Sequence, residues 1–549
     1  MAESFNLVHE PWICVRDDAC RTQTVSLRDA LVNAHRFAGL AGESPAQDAA
    51  MLRLLIAVIY TVFYRVDENG DPAILEDEDG ALDRWEAIWK RKAFPSEPIC
   101  AYLKEWEHRF DLLDKERPFY QVPEAVIGTE HTAAKLNGLV LESENKKSIR
   151  IFSGKTEANK YTLSFAEAAR WLVYLQGFDD AGVKKKTDEV KQNGKESTVS
   201  PVSWMGKLGV IYSIGRNLFE TIWLNTVYLR DGEKLYNQPT PCWEILKARC
   251  GEYSAFSLRS DIAELFTIQT RRVLLKQEDN KITAFTEYCG DLIEPKNAFA
   301  EPMTIWKPEY KQIRKKNTVV GFSPASLSSS RFLWRDFSAI VVSSEENRCP
   351  GITYWLNALQ NEERLELESI RFAAVSVEYD NKKSSVTNTV SDSLSFHADL
   401  LSKAGEDWQK RIRDQIEFCD KLANAVGMLA GVLSVAAGKR EMKDGKNIPP
   451  LQMKVAEAAK AQFYFRIDAP FREWLLKPQA GQSIDETNAL EEEWRDTATG
   501  IAREYGAQLV EEAGEPAFLG RWVEIEKDRK QHFSSPEAFN CFLGKLKNI

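Results

Sequence analysis

The chain has 549 residues, 44% hydrophobic and 28% charged, with 15 tryptophans and a net charge of -10. This composition excludes a disordered or collagen-like chain, and the length exceeds what a single core accommodates, so two or more domains are expected. The acidic balance also argues against a free-standing nucleic-acid binder, for which a basic domain is expected.

In chain order, the N-terminal MAESFNLVHEPWICV has no basic segment followed by a long apolar one, so no secretory signal is expected and the protein is expected to be cytoplasmic. LLIAVIYTVFY (54–64) is the longest apolar run; at 11 residues it falls short of the roughly 20 a membrane helix requires and reads as a buried helix. Residues 67–83 hold eight acids in seventeen positions. SIRIFS (148–153) reads as a strand. SFAEAARWLVYLQGF opens with Ser164 three residues before Glu167, the pattern of a capping box ahead of an amphipathic helix. A lysine-, glycine- and serine-rich stretch then runs to Gly206 with little periodicity, and loops of that length are functional or disordered. SIGRNLFETIWLNTV (213–227) reads as a second amphipathic helix.

KPEYKQIRKK (307–316) holds five bases against one acid, so local basic loops on an acidic body can touch phosphate at chosen points. NTVVGF (317–322), SAIVVS (338–343) and SIRFAAVSVEY (369–379) read as strands. The last turns directly into a tip, DNKKSS, whose residues supply turn chemistry whether or not they have a further role. NTVSDSLSF (388–396) reads as a polar linker. Beyond it come four helical patterns, roughly 397–438, 450–476, 484–512 and 515–546. The expected class is α+β: a large mixed α/β domain over 1–390, then an antiparallel four-helix bundle over 397–549.

Nine cysteines lie scattered with no C-x-x-C, and six histidines are equally dispersed, so neither a disulfide framework nor a zinc site is expected. No metal, no cofactor and no catalytic residue is assigned.

Three stretches, FNLVHEPWICV, EWEHRFDLLDKERPFYQV (105–122) and RFLWRDFSAIVV (331–342), in this order and separation, resemble the large subunit, CasA, of the type I-E CRISPR surveillance complex Cascade. AQFYFRIDAPFREWL (461–475) sits where that family has its four-helix bundle, so the resemblance spans essentially the whole chain. Taken singly, Trp12, Phe110, Phe119, Trp334 and Trp474 read as core residues. The resemblance implies a non-enzymatic subunit that reads a protospacer-adjacent motif (PAM) in double-stranded target DNA from the minor groove. It also implies promotion of duplex opening and R-loop formation, and help in recruiting a helicase-nuclease in antiviral defence. Its other implied partners are the remaining Cascade subunits and the 5′ handle of the guide RNA. Guide pairing would carry most of the sequence specificity, as in another RNA-guided effector. No membrane partner is expected.

Residue by residue, the resemblance puts the inserted wedge at the opening of that polar tip, Asn381, Lys382, Lys383 and Ser384, with Lys383 where the best-known members carry an amide. The groove-reading lysine falls on Lys307, whose alternative is an exposed strand-end lysine. A lysine donates but cannot accept, so reading through it should be permissive. The counterpart of the family's glycine-rich loop falls within 178–206. There only Gly182, Gly194 and Gly206 occur and Lys184, Lys185 and Lys186 stand instead; Gly194, Lys195 and Ser197 are the candidate contacts. For the guide RNA, Phe152 would stack on a handle base with Lys146, Lys147 and Arg150 near phosphates; the alternative for Phe152 is an inward strand residue. Two competing classes remain open: a metal-dependent nuclease, for which Asp179-Asp180 and Asp77-Glu78-Asp79 supply paired acids that more often form solvated faces, and a purely structural cap of a ribonucleoprotein.

Overall fold

The computed structural model describes residues 4–123, 125, 128–137, 161–183, 199–245, 255–256, 261–313, 316–438, 450–526 and 529–549. The chain forms two compact units: 1–329 with 339–367 and 371–393, and 330–338 with 368–370 and 394–549.

The first unit is built around the helix Pro45–Arg65, capped by Ser44, whose hydroxyl accepts the Gln47 N–H. This helix is longer than the apolar run inside it and long enough to cross a membrane. It is nonetheless buried on almost every side within the protein, and a helix so enclosed is apolar all round. Beside it, Trp85 and Trp223 each donate their indole N–H to the other's backbone carbonyl at 2.9 Å and stack with centroids 6.2 Å apart. Helix Phe165–Phe178 opens with the expected capping box of Ser164 and Glu167. Trp12, Phe110 and Phe119 are all buried, as their core reading requires.

Strands in this unit form small sheets. Arg271–Glu278 and Lys281–Cys289 pair through a two-residue turn, Asp279-Asn280, with both φ values positive, as a tight hairpin needs. Thr129–Thr132 adds to the outer edge of this pair. Trp306–Ile313 and Lys316–Pro324 form a second hairpin. A three-stranded sheet has the order Val386–His397, Ser369–Tyr379, Val210–Ser213.

Three expectations fail here. SAIVVS is not a strand: Phe337–Val341 is helical. Its buried Phe337, Ile340 and Val341 stand at helical spacing, and a short apolar run cannot by itself distinguish the two conformations. In 213–227 only Leu218–Leu224 is helical, because Asn217 caps it by accepting the Glu220 N–H while Ser213 ends a strand. NTVSDSLSF is not a linker but the body of the strand Val386–His397; its polar residues suit an edge strand with one neighbour.

In the second unit the helices Glu406–Ala436, Pro450–Leu475, Ile484–Leu519 and Ser535–Leu546 make the helical region. The fourth expected helix is cut by a hairpin, Arg521–Glu526 paired with Arg529–Phe533. The alternation of Val523 and Ile525 with Glu524 and Glu526 was the signal for it. The third helix runs on past 512, with a break at Gly514, φ +71, just before Pro516. Aromatic rings fill the centre: Phe471 lies 4.3 Å from Trp334 and 5.0 Å from Trp494, and Trp474 lies 5.8 Å from Trp494. Trp334 comes from the distant segment 330–338, which joins this unit by donating its indole N–H to Asp468 at 3.0 Å.

Candidate nucleic-acid interface

The strand Ser369–Tyr379 is buried from Phe372 to Val377 and then emerges. Asp380 starts the turn: its N–H donates to the Ser385 carbonyl at 3.0 Å, and its own carbonyl accepts the Lys383 N–H at 2.8 Å. Its carboxylate accepts the Ser384 N–H at 2.7 Å and the Ser384 hydroxyl at 3.0 Å. The Ser384 N–H bond is the main reason that carboxyl titrates below the usual carboxylate range. Asn381, Lys382, Lys383 and Ser384 are all exposed, and Lys383 is held in the left-handed region at φ +56. A non-glycine residue there is uncommon and signals a surrounding structure that over-determines it.

Two bonds tie this tip to the base of the lysine-rich loop. The Lys383 carbonyl accepts the Ala181 N–H at 2.7 Å, and the Tyr379 hydroxyl donates to the Phe178 carbonyl at 2.6 Å. Gly206 makes the second bond possible, since a Cβ there would lie 2.3 Å from the Tyr379 oxygen. The loop stem is the short pair Gly182–Val183 with Val199–Ser200. Gly194, Lys195, Ser197 and Lys184 to Lys186 lie outside the described residues, as do Lys146, Lys147, Arg150 and Phe152 with the strand expected at 148–153.

Lys307 is exposed, opposite Ser323 and second in the strand Trp306–Ile313, so it stands as the strand-end lysine of its alternative reading. Register places it toward the same end of the sheet as the tip. Val375 pairs with Val210, Thr304 bridges Val210, and Ile305 N–H donates to Gly209 at 3.1 Å. Both Thr304 to Lys307 and Val375 to Tyr379 therefore run antiparallel to Val210 toward Gly206. Ser376, fully buried, locks the strands by donating to the Leu208 carbonyl and accepting the Leu327 N–H.

Sequence reasoning missed two residues here. Lys207 donates to the Ile293 carbonyl at 3.3 Å; burial pushes its ammonium pKa down, Glu294 opposes this, and Arg271 and Lys383 add to it. Arg271 is fully buried and pairs with Asp179. This corrects the reading of Asp179-Asp180 as a solvated face, because both are buried, and Asp179 is bound to an arginine. The signal was a paired Arg271-Arg272 at the head of an apolar strand, a buried charge that needs a buried partner.

The described residues contain no group of three or more His, Cys, Asp or Glu side chains placed to hold a metal ion. Burial pushes the thiols of Cys242 and Cys349 up to about 12, so neither is a ready thiolate ligand.

A model of the family described as CRISPR-associated protein Cse1 matches residues 6–505. A CasA/Cse1 protein of Thermus thermophilus is 30% identical over 344 residues, a stretch covering 62% of this chain and 60% of that relative's length. The crystal structure of Thermobifida fusca Cse1 superposes with a TM-score of 0.79 at 26% identity, covering 100% of this chain and 98% of that one. A chain of a solved CRISPR RNA-guided surveillance complex shares the fold at 18% identity, with a TM-score of 0.63 over 93% of this chain and 99% of that one. With its mixed α+β first unit and helical second unit, the chain belongs to the Cse1 (CasA) family, that of the large subunit of the type I-E Cascade complex.

Proposed function

We propose that this chain is the non-catalytic DNA-recognition subunit of an RNA-guided CRISPR complex, reading a PAM through the minor groove and opening the duplex beside it. The observation that carries this reading is the convergence at one end of the sheet of an exposed, rigidly held tip, Asn381 to Ser384, with the stem of the lysine-rich loop. Lys307 adds an exposed charge at the same sheet end from the neighbouring hairpin. A minor groove offers few distinguishing groups, so a donor-only lysine there favours tolerance of several motifs. At the tip, lysines lack the planar face with which an amide substitutes for a base, and strand separation would rely more on phosphate attraction.

The partners proposed with this role are the other Cascade subunits, the guide RNA 5′ handle through Phe152 and its basic neighbours, double-stranded target DNA and a helicase-nuclease. The place of action is the cytoplasm. The test is target binding by the reconstituted complex with and without this subunit, on duplexes that match the guide and differ only in the PAM. Discrimination between the duplexes that disappears when the subunit is omitted, and falls when Lys307 becomes Ala, supports the reading. Equal binding to both duplexes with the subunit present leaves it a structural cap, and metal-dependent cleavage by the pure subunit makes it a nuclease.

A further inference from the structure

We infer that Arg271 is a positioning residue for the hairpin tip, joining the tip and the lysine-loop stem into one rigid unit; this rests on the DNA-facing reading of the tip. The Arg271 guanidinium spends its donors on both sides of the loop stem. Nε binds Asp179, and Nη2 donates to the Asp180 carbonyl at 2.9 Å and to the Pro201 carbonyl at 2.7 Å. Nη1 donates to the Thr270 carbonyl at 2.9 Å. The backbone of Arg271 is itself fixed, with its N–H given to Gln176 Oε1 at 3.0 Å and its carbonyl accepting Gln176 Nε2 at 2.9 Å. The stem therefore has an anchored entry and exit.

The link onward to the tip is a single peptide group. The Asp180 carbonyl that accepts from Arg271 and the Ala181 N–H that donates to the Lys383 carbonyl belong to the same planar unit. A planar peptide does not twist between its two ends, so displacement of the guanidinium is passed to the tip. The Tyr379 hydroxyl, bonded to Phe178 and admitted by Gly206, is a second strut between the same two segments. A wedge opens a duplex only if it does not yield when pushed against the stack, and these two struts supply that stiffness.

The test uses the assembled complex carrying Y379F, which removes one hydroxyl, or R271K, which keeps the charge but cannot reach four separate acceptors as the planar fork does. R-loop formation is timed on a duplex target and on a target already unpaired beside the PAM, with K382A/K383G as reference. The expected result for Y379F is unchanged incorporation and a thermal midpoint lowered by no more than about 4 °C, with opening of the duplex about two- to tenfold slower, the range set by one ordinary hydrogen bond. The unpaired target should stay within about twofold, the scatter of a surface change. R271K should shift the duplex rate further in the same direction. If K382A/K383G is selective for the duplex while Y379F and R271K slow both targets equally, or neither, the positioning role is wrong and the reading of the tip stands. If K382A/K383G is itself unselective, that reading falls and this inference with it. Should R271K fail to fold, D179N, which keeps an acceptor for Nε but removes the charge that anchors the guanidinium, takes its place with the same two outcomes.

Discussion

Glu301→Gln is expected to destabilise the first unit by about 3 to 5 kcal/mol, the cost typical of breaking a buried ion pair from one side. Arg53 and Glu301 are almost completely buried and form a two-bonded pair, Nη1 to Oε1 at 3.0 Å and Nη2 to Oε2 at 2.8 Å. Glu301 also accepts the Trp204 indole N–H at 2.7 Å and the Met303 backbone N–H at 3.0 Å. Four donors thus converge on two carboxylate oxygens. A carboxamide of the same shape offers one accepting oxygen and an NH₂ that itself donates, so two of the four donors lose their acceptor and Arg53 keeps a buried, unneutralised charge. The Phe266 ring, 4.1 Å from the Arg53 guanidinium, compensates only in part. Trp204 and Met303 begin the segments that carry Lys207 and Lys307, so the damage reaches the proposed DNA side as well as the core. Urea unfolding followed by tryptophan fluorescence reads the change directly. A loss below about 1 kcal/mol, within the range of unremarkable substitutions, would refute this account of the network.

Asp48 gives a pH signature: burial raises its carboxyl to about 7, against the opposing Gly42 N–H bond at 2.8 Å. Between about 4 and about 7 the native state holds a proton that the unfolded chain has released, so stability falls as pH rises through that window. Asp48→Asn keeps an acceptor for Gly42 and should flatten the dependence; an equal decline in thermal midpoint from pH 5 to 8 for both proteins would contradict this. Ser164→Ala removes the cap of helix Phe165–Phe178 and should cost about 1 kcal/mol in urea unfolding, with no cost expected only if the hydroxyl is irrelevant. Pure protein should carry no stoichiometric metal by elemental analysis and show no DNA cleavage with Mg²⁺ or Mn²⁺; one zinc per chain, or cleavage surviving purification to homogeneity, would overturn that expectation.

What was legible in the sequence is what local chemistry decides. The capping box at Ser164, the buried run inside Pro45–Arg65 and the strand leading into the Asp380 turn each announce themselves in a few residues. Errors fell where a short segment's conformation is set by its neighbours. SAIVVS has the composition of a strand but follows a turn that feeds it into a helix, and NTVSDSLSF is polar because it lies at a sheet edge. At the site, turn chemistry marked the exposed tip as a turn, and the family resemblance singled out the tip and Lys307 as DNA contacts. Arg271 could not be named, since its partners Asp179, Asp180 and Pro201 are 70 to 92 residues away in sequence and only the fold brings them together. Gly206 was read as part of a depleted glycine loop, whereas its role lies in the approach of Tyr379.

The central claim is that the tip separates DNA strands, and the most direct measurement compares R-loop formation by complexes carrying the native subunit and K382A/K383G. Glycine is chosen at 383 because it adopts the left-handed backbone found there without strain and introduces no amide at the tip. Loss of two phosphate-attracting charges alone would weaken binding to every target and reduce the salt slope by up to about 0.9 per charge. Loss of a wedge acts only where there is a stack to break, a cost of a few kcal/mol per step. The account predicts a mainly selective defect, with slow opening of duplex targets and only the smaller, uniform loss from the two charges on a target already unpaired beside the PAM. Equal loss on both targets would reduce the tip to an electrostatic contact, and no loss on either would make it a solvated turn.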